Sequence, residues 1–320
     1  MAKKADPTKP AGKPAGKSAS RSAPRSAGKS AGSSGGKPGA KVGGKPARSS
    51  ARKITVGFIG GGNMAEAMLK GLLASGLAAE SLLVSEPDAA RRRAIARRYK
   101  VAVTADNAEL LASSSTVVLA VKPQVLGAVL EALAPSVTGR ELFVSIAAGV
   151  MLPRLEKLLG AKARVVRVMP NTPSLVGKGA SVICPGRRAT AADVKLVTRL
   201  FAAVGIAHVI RDEKLMHVVT ALSGSGPAYV YRFAEALTEA AVKGGLEAGL
   251  ARALTYQTIA GAAAMMIETG QEPADLRRAV SSPGGTTLAG LAILDEKKFV
   301  ETVKGAVAAA ARRSVELGKG

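Results

Sequence analysis

The sequence predicts an α/β domain built on a doubly wound, mostly parallel sheet, followed by an all-α domain. Three observations lead there. Between Lys53 and Asp212 short apolar runs alternate with longer helical stretches, the pattern of strands joined by crossover helices. A glycine-rich turn follows the first of those runs directly. Beyond Asp212 no strand-like run of any length remains. The organisation read from this is a basic segment at 1–52, a dinucleotide-binding domain at 53–212 and a helical domain at 213–320.

The elements follow in order. Ile54–Ile59 is an apolar strand leading into the glycine turn, and a helix runs from Met64 to Ser75. Ser81–Ser85 and the short Val101–Val103 are the second and third strands. Thr116–Val121 and Leu142–Ala147 are apolar enough to be buried on both faces, as parallel strands are. Arg164–Val168, Ala180–Ile183, a helix from Thr190 and the strand Ile206–Ile210 complete the first half. Three long helices then dominate, over Ala228–Leu250, Leu254–Thr269 and Lys298–Leu317. They are alanine-rich and apolar over much of their circumference, so they need burial on more than one side. About 110 residues offer little interior for that, and a homodimer or higher homo-oligomer formed through this half is expected.

The net charge of +23 is unevenly spread. Residues 1–52 hold thirteen Lys and Arg against the single acid Asp6. Residues 2–50 consist almost wholly of Ala, Lys, Arg, Pro, Gly and Ser, which cannot offset a backbone ordering cost of about 1–2 kcal/mol per residue. A disordered N-terminal tail is expected. It reads either as a solvated extension or as a weak, non-specific polyanion-binding arm; it has no aromatic residue for stacking on bases. The single cysteine, Cys184, excludes an intramolecular disulfide framework and a multi-cysteine metal site. No apolar run of about 18 residues and no secretory leader are present, so a cytoplasmic protein without a membrane span is expected.

The sharpest motif is Gly57-Phe58-Ile59-Gly60-Gly61-Gly62-Asn63-Met64-Ala65. Gly60, Gly62 and Ala65 satisfy the G-x-G-x-x-[G/A] pattern, here placed between a strand and a helix. Gly60 allows the tight turn, Gly62 lets a pyrophosphate approach the backbone, and Ala65 lets the helix pack close to the sheet. The pyrophosphate then meets the free N–H groups of a helix N-terminus. The first half is therefore read as Rossmann-like. Glu86, just past the second strand, points to the ribose of NAD; Ser85 and the run Arg91-Arg92-Arg93 point to the 2′-phosphate of NADP. NADPH or NADH is the expected cofactor, with the choice open. Two further strand ends, at Ala120-Val121-Lys122-Pro123 and Ala147-Ala148-Gly149, face the same crevice; the small residues leave room for a nicotinamide ring.

Several segments, in order, resemble the pyrroline-5-carboxylate reductase family. They are the glycine turn, Ala120–Pro123, Ser145–Val150, Met169-Pro170-Asn171-Thr172-Pro173, Leu222–Tyr229 and, most specific, Val280-Ser281-Ser282-Pro283-Gly284-Gly285-Thr286-Thr287. The likeness runs from about Lys53 to Leu317 and leaves the tail out. It implies hydride transfer from NAD(P)H to the C=N carbon of 1-pyrroline-5-carboxylate, giving L-proline, the last step of proline biosynthesis. It implies cofactor contacts at Ile59, Gly60, Gly61, Gly62, Asn63, Met64, Asn107, Ala120, Val121, Lys122, Pro123, Ala147, Ala148 and Gly149. It also implies that Ser282 and the amides of Gly284, Gly285, Thr286 and Thr287 hold the substrate carboxylate, with the Thr287 hydroxyl on the ring nitrogen.

Read from its residues alone, Ser282–Thr287 is consistent with this: successive free N–H groups at a helix start make an anion site without an arginine. A Pro-Gly turn capped by threonine is the plainer alternative. A hydroxyacid reductase would need a lysine on the long C-terminal helix, and Lys243 is the candidate there. A nucleotide sensor with a nucleic-acid-binding tail is the other rival. His208 and His217 are read as structural, and Cys184 as a core residue.

Overall fold

A computed structural model describes residues 54–318. The basic segment 1–52, with the disorder expected of it, lies outside them. Among the described residues the chain forms β1 (Ile54–Ile59), α1 (Asn63–Ala74), β2 (Leu82–Ser85), α2 (Ala89–Tyr99), β3 (Ala102–Thr104), α3 (Asn107–Ser113), β4 (Ser114–Leu119), α4 (Pro123–Leu133), β5 (Leu142–Ser145), α5 (Leu152–Leu159), β6 (Arg164–Met169), β7 (Gly179–Pro185), α6 (Ala191–Ala202) and β8 (Gly205–Val209). From Glu213 onward it is helical, with α7 (Met216–Val219), a π-turn at Thr220–Gly224, α8 (Gly226–Lys243), α9 (Ala248–Thr269), α10 (Pro273–Ala279), α11 (Thr286–Glu296) and α12 (Phe299–Gly318).

The strands form one sheet in the order β3-β2-β1-β4-β5-β6-β7-β8. The first six are parallel; β7 runs antiparallel to β6, and β8 runs parallel to β7. Strand order reverses on either side of β1, and that switch point opens a crevice beyond the strands' carboxyl ends. Because side chains alternate along a strand, neighbours such as Phe58 and Ile59, or Val118 and Leu119, enter different cores. One face packs Met68, Leu69 and Leu72 of α1, Ile95 of α2 and Phe201 of α6. The other packs Leu110 and Leu111 of α3, Leu126, Leu130 and Leu133 of α4, and Leu155 and Leu159 of α5. Thr190 closes a capping box with Asp193 and starts α6 where the sequence places it.

Two strands stop earlier than expected, and the difference matters. β4 covers Ser114–Leu119 and not Thr116–Val121; β5 stops at Ser145 and not at Ala147. Ile59, Leu119 and Ser145 lie in register, so the ladder ends along one line and the residues beyond it become crevice loops. Pro123 takes the first turn of α4, a position that needs no N–H donor.

The helical half also corrects an expectation. The helix read over Ala228–Leu250 ends at Lys243; Gly245 turns the chain at φ +99°, and Glu247 caps α9 by accepting from the Leu250 N–H. Two helices were expected here, and the break between them falls at Gly244-Gly245, several residues earlier than the expected break after Leu250. Helices α8 and α9 pack on each other, and α12 packs on α7 and the π-turn. Among the described residues of α8–α12, only Ala251, Thr255 and Ser314 are buried, while Tyr231, Phe233, Tyr256, Ile267 and Phe299 are among many large apolar side chains left exposed. No helix among the described residues is long and apolar enough to cross a membrane.

Candidate active site

The three glycines of the first turn have different neighbours. Gly60 has φ +97°, and a Cβ there would lie 2.9 Å from the Ala120 carbonyl oxygen. Its N–H donates to the Ser85 carbonyl at 2.8 Å, which seats the turn across β2 and β4. A Cβ on Gly61 would collide with Ile95 of α2. Gly62, the N-cap of α1, has extended backbone at φ −75° and nothing within 4 Å of its Cβ position. No side chain caps α1, so its first N–H groups and the positive end of its dipole meet an open cradle. Backbone of this shape can take an anionic group. Asn63 is exposed at its rim and Met64 half-buried.

The carboxylate of Glu86 turns inward. One oxygen accepts from the buried Gly61 N–H at 2.9 Å, the other from the Asp88 N–H at 3.0 Å, and the residue is only 6% exposed. The Ser85 hydroxyl, also buried, donates to Asn107 Oδ1 at 2.6 Å. Arg92 spans back to the Glu86 and Pro87 carbonyls at 2.6 and 3.1 Å. Arg91 lies 3.9 Å from Glu86 with its side chain 55% exposed. The arginine run is therefore divided: Arg92 is tied to the loop and Arg91 faces outward.

Beyond β4, Ala120 and Val121 are half-buried while Lys122 and Pro123 are exposed. Beyond β5, Ala147 and Gly149 are buried and Ala148 is exposed. Gly149 has φ +79° and would bring a Cβ within 3.3 Å of Leu317 on α12. The loop before α11 is a tight turn: Gly284 has φ +69°, Gly285 donates to the Ser282 carbonyl at 3.0 Å, and Gly285 is the N-cap without a side-chain partner. Thr287 is half-buried; Ser282, Gly284 and Thr286 are exposed. As in the first turn, uncapped amides at a helix start make a second place for an anion, and the recorded hydrogen bonds of Ser281–Gly285 stay within the segment 277–289.

Lys243, the lysine a hydroxyacid reductase would use, is exposed in the last turn of α8. His208 is exposed on edge strand β8, and His217 bonds through Nδ1 to the Ser314 hydroxyl at 3.0 Å. Burial, then the nearby Arg167 cation, lowers the pKa of His217. Cys184 is buried, and burial foremost, with Glu213 behind it, pushes its thiol up to about 11. Two connections escaped the sequence reading. Arg167 is buried in β6 and pairs with Glu213 at 2.8 Å, and Asn171 donates to the Ser223 carbonyl at 3.1 Å. An arginine in the middle of Arg164-Val165-Val166-Arg167-Val168-Met169 was the available signal, since a charge flanked by valines in a buried strand requires a partner.

Residues 213–317 match the family described as pyrroline-5-carboxylate reductase dimerisation, and residues 55–149 match NADP oxidoreductase coenzyme F420-dependent. The chain is 44% identical over 264 residues to a pyrroline-5-carboxylate reductase of Pseudomonas aeruginosa, covering 82% of this chain and 97% of that one. It is 43% identical over 263 residues to one of Pisum sativum, covering 82% and 96%. A solved pyrroline-5-carboxylate reductase from Coxiella burnetii aligns with TM-score 0.79 at 38% identity, over 84% of this chain and all of the other. The Plasmodium falciparum pyrroline carboxylate reductase solved with NADP bound aligns at 0.76 and 36%, over 83% and 99%. Sequence identity at this level over nearly the whole described fold, with matching three-dimensional structure, means that the chain belongs to the pyrroline-5-carboxylate reductase family.

Proposed function

We propose that this chain reduces 1-pyrroline-5-carboxylate to L-proline, the nicotinamide cofactor supplying the hydride that reaches the C=N carbon. The observation that carries the site assignment is the cradle at Gly62. Gly60 and Gly61 are required by the fold itself, whereas a Cβ at Gly62 would meet nothing within 4 Å, and its lack of a side chain serves a ligand. The Ile59–Met64 turn holds the cofactor diphosphate on the amides of α1. Asn107 and Ser85 flank the adenosine side. Ala120–Pro123 and Ala147–Gly149 form the walls at the nicotinamide end, where small side chains admit the ring.

NADPH is the preferred form on this reading. Glu86 is buried and already accepts two backbone N–H groups, whereas Arg91 faces outward beside it as a cation for a 2′-phosphate.

The substrate carboxylate rests on Ser282 and the amides of Gly284, Gly285, Thr286 and Thr287. The Thr287 hydroxyl orients the ring nitrogen. An iminium carbon is already electrophilic, so the protein contributes orientation more than acid catalysis, and a threonine hydroxyl suffices as a positioning donor.

The working unit is at least a dimer through α8–α12. The exposed apolar side chains there, with three buried residues among the described ones, support mutual burial between subunits. The basic segment 1–52 binds polyanions weakly; its excess of twelve positive charges supports this, and a gel shift that fades with salt and with deletion of 1–52 tests it.

The test of the reaction is NADPH and NADH oxidation by the chain lacking residues 1–52, with pyrroline-5-carboxylate as substrate and proline identified as product. Turnover favouring NADPH is expected. A folded protein that binds nucleotide yet forms no proline would falsify the reaction.

A further inference from the structure

We propose that the buried Arg167–Glu213 pair is a positioning device that fixes the turn beyond β5 against the helical half and so aligns the reacting groups. The inference rests on the reductase reading above. Arg167 sits between Val166 and Val168 in β6 and is 1% exposed, as its neighbours are. It lies opposite Ser145 in β5, two residues before the Ala147–Gly149 wall. Its Nη1 lies 2.8 Å from Glu213 Oε1 and 3.0 Å from Met151 Sδ.

The same Glu213 oxygen accepts the Leu152 N–H at 2.7 Å. That amide is the first of α5, whose N-cap Met151 makes no side-chain cap hydrogen bond, so a carboxylate 61 residues away does the capping. The turn carrying Ala147, Ala148 and Gly149 is thereby held at both ends, by β5 and by Glu213. Glu213 stands just ahead of α7, whose His217 bonds Ser314 of α12, and α12 in turn lies against Gly149 through Leu317. The pair thus closes a ring of contacts from β6 through the connector and the last helix back to the nicotinamide wall.

Stability alone does not account for a charge pair here. Replacing a buried ion pair by apolar side chains of similar volume is often neutral or stabilising, while removing one partner is not. The guanidinium is also under-used: Arg167 Nη2 is buried with no hydrogen-bond partner. One cationic donor therefore does the work, and a lysine should serve nearly as well.

The test compares Arg167→Lys, Glu213→Gln and the double variant Arg167→Met/Glu213→Leu in the full chain. Thermal unfolding, NADPH affinity by fluorescence titration, and kcat and KM for pyrroline-5-carboxylate are measured for each. Arg167→Lys keeps the charge pair and should keep kcat within about threefold, whereas Glu213→Gln strips the buried guanidinium of its counterion and should lower both the unfolding temperature and kcat. The double variant should fold and hold NADPH within about threefold of wild type, because the Gly60–Met64 turn is untouched. Its kcat should fall by about tenfold or more, since small misplacements of reacting atoms are costly. A folded double variant with wild-type kcat would overturn the proposal, leaving the pair a packing feature. Should the double variant unfold, Glu213→Gln decides: a folded Glu213→Gln with wild-type kcat overturns the proposal. A wild-type chain that binds NADPH without making proline overturns the reaction itself, which is a distinct result.

Discussion

Gly62→Ala separates the role of the first turn in folding from its role in binding. The added methyl group meets no atom within 4 Å, and the backbone at φ −75° is open to any residue. Two small terms act on stability. Alanine is a poorer N-cap than glycine by roughly 0.5–1 kcal/mol. Against this, it restricts the unfolded chain by about 0.4–1 kcal/mol. They nearly cancel, and a residual of at most about 1 kcal/mol shifts Tm by roughly 2–4 °C at this domain size. Binding should respond quite differently, because the methyl group occupies the space over the α1 amides where a diphosphate would lie. Loss of even one charge-assisted hydrogen bond, about 1.5–3 kcal/mol, raises the dissociation constant roughly ten- to a hundredfold. Fluorescence titration with NADPH, run beside differential scanning calorimetry, gives both quantities. Gly60→Ala is the control: φ +97° and the Ala120 carbonyl make it destabilising whatever it does to binding. Unchanged NADPH affinity in a folded Gly62→Ala chain would refute the placement of the diphosphate.

The other expectations are more local. Cys184 is buried with its thiol pushed up to about 11, so a thiol reagent at pH 8 should label the native chain negligibly and the unfolded chain once; rapid native labelling would contradict this burial. For Glu141, burial alone would raise the pKa, but hydrogen bonds from the Thr138 hydroxyl and the Thr138 and Gly139 N–H groups outweigh it and hold the carboxyl low. A folded pKa below the unfolded one stabilises above the unfolded value and fades as pH falls through the folded one. Glu141→Gln should therefore cost on the order of 1 kcal/mol at pH 7 and progressively less in acid; a pH-independent difference between the two unfolding curves would refute the assignment. Sedimentation of the chain lacking residues 1–52 should give at least a dimer at micromolar concentration, and a stable monomer would contradict the reading of the exposed helical faces.

The doubly wound sheet, the glycine turn and the Ser282–Thr287 loop were legible in the sequence because each depends on local rules. Strands reveal themselves by apolar runs, and a tight turn by glycine where φ is positive or a neighbour crowds in. Gly60 and Gly284 meet that requirement. The break between α8 and α9 was legible too, in Gly244-Gly245, but the alanine-rich helical pattern continues past it to Leu250 and hides where the first helix ends. Strand ends were less secure, since a ladder stops where its partners stop, and Leu119 and Ser145 end together.

What the tertiary structure alone decided is where long polar side chains turn. Glu86 could have faced the crevice; packing directs it to the Gly61 amide, 25 positions earlier. Arg167 and Glu213 are 46 residues apart, and nothing in either neighbourhood names the other. Secondary structure follows from interactions a few residues long, which a sequence displays directly. A buried charge finds its partner through the whole fold, because desolvation demands a counterion wherever the chain can bring one.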